Sequence, residues 1–94
     1  MHFGYYNISF HRYGSGNLAY VAGEVTNESF KGYETAVFRM VLFNQNNRVV
    51  WSGAFKIRGL GAKRTRSFNV TLEGVDFSII PKISRYDIFF ESGY

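Results

Sequence analysis

His2 and His11 are the side chains best suited to bind a metal or move a proton near neutral pH. A metal site needs at least a third ligand converging on them, yet no His-x-His pair or histidine and carboxylate cluster stands nearby. A nucleophilic Ser or Thr would need a histidine base and an orienting acid, but both histidines fall within the first eleven residues. Glu24 and Glu34 could in principle form a carboxylate pair, and solvated surface acids account for them more simply. Gly59-x-Gly61 leads into a strand, whereas a phosphate cradle leads into a helix N-terminus. The chain is therefore expected to be non-catalytic, with no metal and no cofactor. The absence of cysteine removes thiol redox chemistry and any disulfide framework.

Charge is the uneven feature. Eleven Lys and Arg against seven Asp and Glu give +4, which permits acidic partners without demanding nucleic acid. Lys56, Arg58, Lys63, Arg64 and Arg66 place five of the eleven cations within eleven positions that contain no acid. Such a cluster serves either as a solvated edge that discourages strand-to-strand aggregation or as a surface facing an anionic partner. Tyr20, Tyr33, Phe43 and Phe89 fall on the outward side of their strands, more exposed aromatic surface than a small monomer needs. A protein partner or an anionic polymer is the expected ligand; nucleic acid is the alternative, with the cluster from 56 to 66 holding the backbone and aromatics stacking on bases. Salt separates the two, since counterion release makes polyanion affinity fall steeply with ionic strength while an aromatic interface changes little.

The elements that must position these residues read as strands. Ninety-four residues, 46% hydrophobic with 19% aromatic, suit one compact domain spanning residues 1–94 with a core of large side chains. Apolar and polar residues alternate, with turn residues every eight to twelve positions. The first strand is expected over Tyr5 to Tyr13 with Tyr6, Ile8 and Phe10 inward, followed by a turn at Gly14-Ser15-Gly16-Asn17. The second runs from Leu18 to Thr26 with Val21, Gly23 and Val25 inward, Gly23 leaving bare backbone for a side chain of the facing sheet. Asn27 to Gly32 reads as a turn, and Tyr33 to Phe43 as a strand burying Phe38, Met40 and Leu42. Asn44 to Asn47 suits a tight hairpin, because asparagine tolerates left-handed backbone. Its return strand, Arg48 to Arg58, puts Val49, Trp51, Phe55 and Ile57 on one face, with Trp51 in the core against Val21, Phe38 or Phe68. Arg64 to Leu72 buries Phe68, Val70 and Leu72, and Ser84 to Glu91 buries Tyr86, Ile88 and Phe90. Val75 to Ile80 suits a short edge strand or a covering loop, since Pro81 bars a central strand. The fold expected is all-β, an immunoglobulin-like antiparallel sandwich of six to seven strands.

From Ala19 to Tyr94 the sequence also resembles the FxLYD-type domain, a small immunoglobulin-like module found mainly in prokaryotic surface or secreted proteins. The resemblance is carried by Gly23-Glu24-Val25-Thr26-Asn27 with Ser29, by Met40-Val41-Leu42-Phe43-Asn44 at the naming motif, and by Leu60 and Phe68 around the loop that follows. Met40, Phe43 and Asn44 replace the usual Phe, Tyr and Asp, and Ala62-Lys63-Arg64 stands where the family tends to have Pro-Gly-Glu, making this loop basic. The resemblance implies an extracytoplasmic spacer or interaction module of a surface or envelope-associated protein. Read physically, Asn27 caps the turn after its strand and Leu60 plugs the sandwich end. Asn-x-Ser/Thr sequons at Asn7, Asn27 and Asn69 are read as chance matches of a short motif. No apolar run approaches the roughly 18 residues of a membrane span, and MHFGYYNISFHRY lacks a charged start and continuous apolar run, so no membrane insertion by this segment is expected.

Overall fold

The computed structural model describes residues 2–14 and 16–94. Its strands are β1 (Phe3–Arg12), β2 (Ala19–Asn27), β3 (Tyr33–Phe43), β4 (Val49–Leu60), β5 (Thr65–Thr71) and β6 (Arg85–Gly93), with a 3-10 turn at Phe77–Lys82. They form two antiparallel three-stranded sheets, ordered β1-β2-β5 and β4-β3-β6. This pairing matches the A-B-E and C′-C-F strands of an immunoglobulin-like sandwich. Alternation set the buried faces: Val21, Val25, Phe38, Met40, Leu42, Phe55, Ile57, Phe68, Val70 and Ile88 are all buried between the sheets. Phe38 lies at the centre, edge-on to Phe3 at 5.2 Å and stacked with Phe55 at 5.6 Å. Phe3 stacks on Phe90 at 5.0 Å and Phe55 on Phe68 at 4.6 Å, so β1 lies over β6 and β5 over β4.

The departures from simple alternation have local causes. β1 starts two residues earlier than expected and is bulged between Tyr6 and Ser9, with Asn7 at φ 55°. The extra residue reverses the parity, so Phe3 and Tyr5 pack inward before it and Ile8 and Phe10 after it, while Tyr6, expected inward, is 49% exposed. A second bulge between Leu42 and Phe43 pairs Phe43 with Val49 and turns Val49 outward. Tyr86 keeps its inward parity but lies at the open start of β6 and is exposed. Gly23 does accommodate large side chains, although they come from its own sheet: a Cβ there would sit 2.5 Å from Ile8 Cδ1 and 2.9 Å from Phe68 Cζ.

Trp51 packs against the core cluster as its inward parity implies, but it is half-buried at the sandwich margin and not a core residue alongside Val21, Phe38 or Phe68. β4 is an edge strand, and the indole lies over Gly53 with Nε1 donating to the Glu73 carbonyl at 3.0 Å, an acceptor the core could not offer. The segment from Val75 to Ile80 is not a strand. Asp76 accepts from the Ser78 amide at 2.8 Å and caps the 3-10 turn, whose Phe77, Ile79 and Ile80 cover the end of the core. The Ser78 hydrogen bonds hold the Asp76 carboxyl below its ordinary pKa. The asparagine hairpin forms as expected, with Asn47 at φ 61° and Asn44 Oδ1 accepting from the amides of Asn46 and Arg48. Ser15 of the expected first turn lies outside the described residues; beside it Tyr13 N donates to Leu18 O at 3.0 Å.

Asn27 ends β2 with no exposed surface. Its Nδ2 donates to Lys31 O at 2.8 Å and to Leu60 O at 3.3 Å, and its Oδ1 accepts from Ser29 N at 3.0 Å and Ser29 Oγ at 2.7 Å. Its backbone amide donates to Arg64 O at 2.9 Å. A single carboxamide thus joins the β2–β3 loop to the end of β4 in the other sheet, above the fully buried Leu60. A buried, fully bonded amide leaves no room for a glycan, which removes the Asn27 sequon from consideration in the folded protein.

Two outcomes follow from this packing. Asn27→Ala strands the buried Leu60 carbonyl and the part-buried Ser29 amide and Lys31 carbonyl at once and should lower unfolding stability by about 2–4 kcal/mol in urea titration; a loss below about 1 kcal/mol would show that the loops hold without it. Burial pushes the Tyr5 hydroxyl up from 10.0 to about 12. The unfolded chain then ionises first, so this contribution to stability is complete below pH 10 and is lost as pH rises through 12. The urea midpoint should fall across that window more steeply in the wild type than in Tyr5→Phe; parallel curves would contradict it.

Candidate functional site

The acid-free run from Lys56 to Arg66 covers the end of β4, the β4–β5 loop and the start of β5. Because β4 and β5 belong to different sheets, the chain crosses the sandwich here, and the cations spread around one corner of the molecule. Lys56 and Arg58 alternate with buried Phe55 and Ile57, so they project from the outer face of β4, opposite Val37 and Thr35. Gly59, at φ 67°, and buried Leu60 finish the strand, and Arg64 N closes the following turn on Gly61 O at 3.1 Å.

Arg66 has the inward parity of Phe68 but lies beyond the core, at the mouth between the sheets. It spans that mouth, donating from Nε to Gly59 O at 3.1 Å. Gly59 suits its left-handed φ of 67°, and a Cβ there would meet only the flexible end of the Arg66 side chain, 2.8 Å from Nη2. Arg64, Thr65 and Arg66 with Gly59 and Gly61 line a shallow depression of about 410 Å³. Lys63 is drawn away from it. Its backbone sits at φ 60°, where a side chain costs about 1–2 kcal/mol. Its Nζ donates to Glu28 O at 2.5 Å and lies 4.3 Å from the centroid of the Phe30 ring. The two ion pairs among the described residues, Arg39 with Glu91 at 2.6 Å and Arg85 with Asp87 at 3.1 Å, use none of the five cations.

The four aromatics expected on the surface part company. Phe89 is exposed. Tyr20 is half-buried between His11, at 5.0 Å, and Tyr13, at 4.6 Å. Tyr33 packs against Phe3 and Phe90, and Phe43 lies under the Arg85 guanidinium at 3.8 Å, so both are partly covered. His11 bonds Ser9 at 2.7 Å, while Glu24 accepts from Asn7 Nδ2 at 2.6 Å on the outer side of the first sheet and Glu34 stands on the second. Sequence reasoning passed over Phe30, 91% exposed, and Tyr94, 76% exposed. A lone phenylalanine within the turn-forming NESFKG was the available signal for the first. A second depression, about 540 Å³, lies at the far end between Asn44–Asn46 and Pro81–Ser84 and has Lys82 as its one charged lining residue.

No family model matches the chain, and no curated protein matches it. In structure it is similar to the crystal structure of a DUF1425 family member from Shewanella sp. pv-4, with a TM-score of 0.52 at 8% sequence identity over 98% of this chain and 79% of that one. At that identity the likeness concerns the fold, a small β domain.

Lys63 supplies a direct check on the loop. Lys63→Gly relieves the left-handed backbone, worth about 1 kcal/mol, and gives up only exposed contacts. Its stability by thermal denaturation should equal or exceed that of the wild type. A loss above about 1 kcal/mol would mean that the contacts to Glu28 and Phe30 hold the loop.

Proposed function

We propose that this domain is a non-catalytic interaction module that engages an anionic partner, a polymer or an acidic protein surface, through the corner formed by Lys56, Arg58, Lys63, Arg64 and Arg66. The observation that carries the reading is the depression at the sandwich mouth, where Arg64 and Arg66 flank two glycines whose bare backbone permits close approach. Arg66 is already oriented by Gly59 O, which reduces the ordering cost when an anion arrives. Among the described residues the five cations form no ion pair, which favours their meeting an external anion. Recognition of backbone charge suits this corner better than base stacking, because Tyr20, Tyr33 and Phe43 are engaged within the domain. The resemblance to extracytoplasmic modules and the small β-domain fold agree with an interaction role.

Heparin chromatography tests it. Replacing Lys63, Arg64 and Arg66 together by glutamine should lower the eluting salt concentration well beyond the effect of the same change at Arg12, Arg48 and Lys82, with both proteins folded by circular dichroism. Equal reductions would show that net charge alone governs retention.

A further inference from the structure

The loop end of the sandwich combines cations with an aromatic ring that nothing in the fold requires. Phe30 stands at the tip of the β2–β3 loop, 91% exposed. The neighbouring β4–β5 loop reaches it through Lys63, whose ammonium sits over the ring while bonded to Glu28 O. Lys31 follows directly and lies 5.3 Å from the Tyr33 ring centroid, and Arg64 is the next residue beyond Lys63. Tyr94, 76% exposed, is held at the same end by backbone bonds with Glu34 and Thr35.

We propose that this end docks on an anionic bilayer surface, with Phe30 entering the headgroup region and Lys31, Lys63 and Arg64 contacting the lipid phosphates. The inference rests on the preceding reading for its cations and goes beyond it in taking a lipid surface as the anion they meet. One apolar residue with a basic surround supplies the two signals, burial and electrostatic attraction, that peripheral attachment combines. A protein hot spot would instead centre on a contiguous desolvated patch, and here the ring rises alone among charges. Tyr94 adds a side chain suited to the interface. Of the acids near this end, the Glu28 carboxylate accepts from Tyr6 Oη at 3.4 Å on the flank, and Glu34, exposed at the start of β3, is outnumbered by Lys31, Lys63 and Arg64. The backbone strain at Lys63 is understandable here, because the left-handed turn is what carries its ammonium back over Phe30.

Sedimentation with vesicles of phosphatidylglycerol and phosphatidylcholine, against phosphatidylcholine alone, tests the proposal. The full chain should bind the anionic vesicles and leave the neutral ones. Phe30→Ser should weaken vesicle binding about five- to tenfold, yet elute from heparin with the wild type. Phe30→Trp, in a Trp51→Phe background, should shift its emission to the blue when anionic vesicles are added. Wild-type vesicle binding by Phe30→Ser, or unshifted Phe30→Trp emission, overturns the proposal, since charge alone would then explain attachment. Heparin retention without vesicle binding overturns it and leaves the polyanion reading standing; failure on both overturns both.

Discussion

The carboxamide of Asn27 is buried where the two sheets meet, and its donors and acceptor carry bonds to Ser29, Lys31 and Leu60. A buried amide left unbonded is costly, so the β2–β3 loop and the end of β4 have to stay where they satisfy it. The backbone N–H of Asn27, donating to Arg64 O, adds the β4–β5 loop to the same knot. Both loops that bear the candidate contact residues therefore hang from one residue, the β2–β3 loop by its side chain and the β4–β5 loop by its backbone N–H. Lys63 reaching Glu28 and Arg66 reaching Gly59 build on that arrangement, closing over a corner whose geometry is already set. Further along the same edge, Trp51 donates to Glu73, so side-chain-to-backbone bonds join the two sheets at both ends of the β4 and β5 margin.

Much of this was legible because period-2 alternation is dictated by burial, and burial dominates wherever a strand faces the core. The inward sets of β2, β3 and β5, the asparagine hairpin, the Asn27 cap and the Leu60 plug could all be read from residue types in order. What alternation cannot show is an inserted residue. The bulges at Asn7 and near Val49 leave the composition unchanged and reverse the facing, which is why Tyr6 and Val49 turn outward. Trp51 was misplaced for another reason: its size argues for the core, but its indole N–H needs an acceptor, and the sandwich margin provides one.

The candidate site was legible as charge and not as shape. The run from Lys56 to Arg66 is plain in the sequence, whereas the crossing of β4 to β5 between sheets depends on which strands pair, a non-local choice. That crossing distributes the cations over an outer face, a mouth and a loop. Phe30 could be noticed only once the loop was seen to leave it uncovered. The aromatics that looked exposed by parity, Tyr33 and Phe43, are covered by neighbours distant in sequence, Phe3 and Phe90 in one case and Arg85 in the other.

The role proposed for the corner, holding an anion, rests on its joining loops of fixed geometry with cations that form no ion pair among the described residues. Backbone amide shifts recorded by two-dimensional NMR during titration with a short sulfated oligosaccharide would locate the contact directly. The largest changes should fall on Gly59, Gly61 and Lys63 to Arg66, with smaller ones at Ser29 and Phe30. Changes centred instead on Asn44 to Asn46 and Lys82 to Ser84, at the opposite end, would contradict the proposed role.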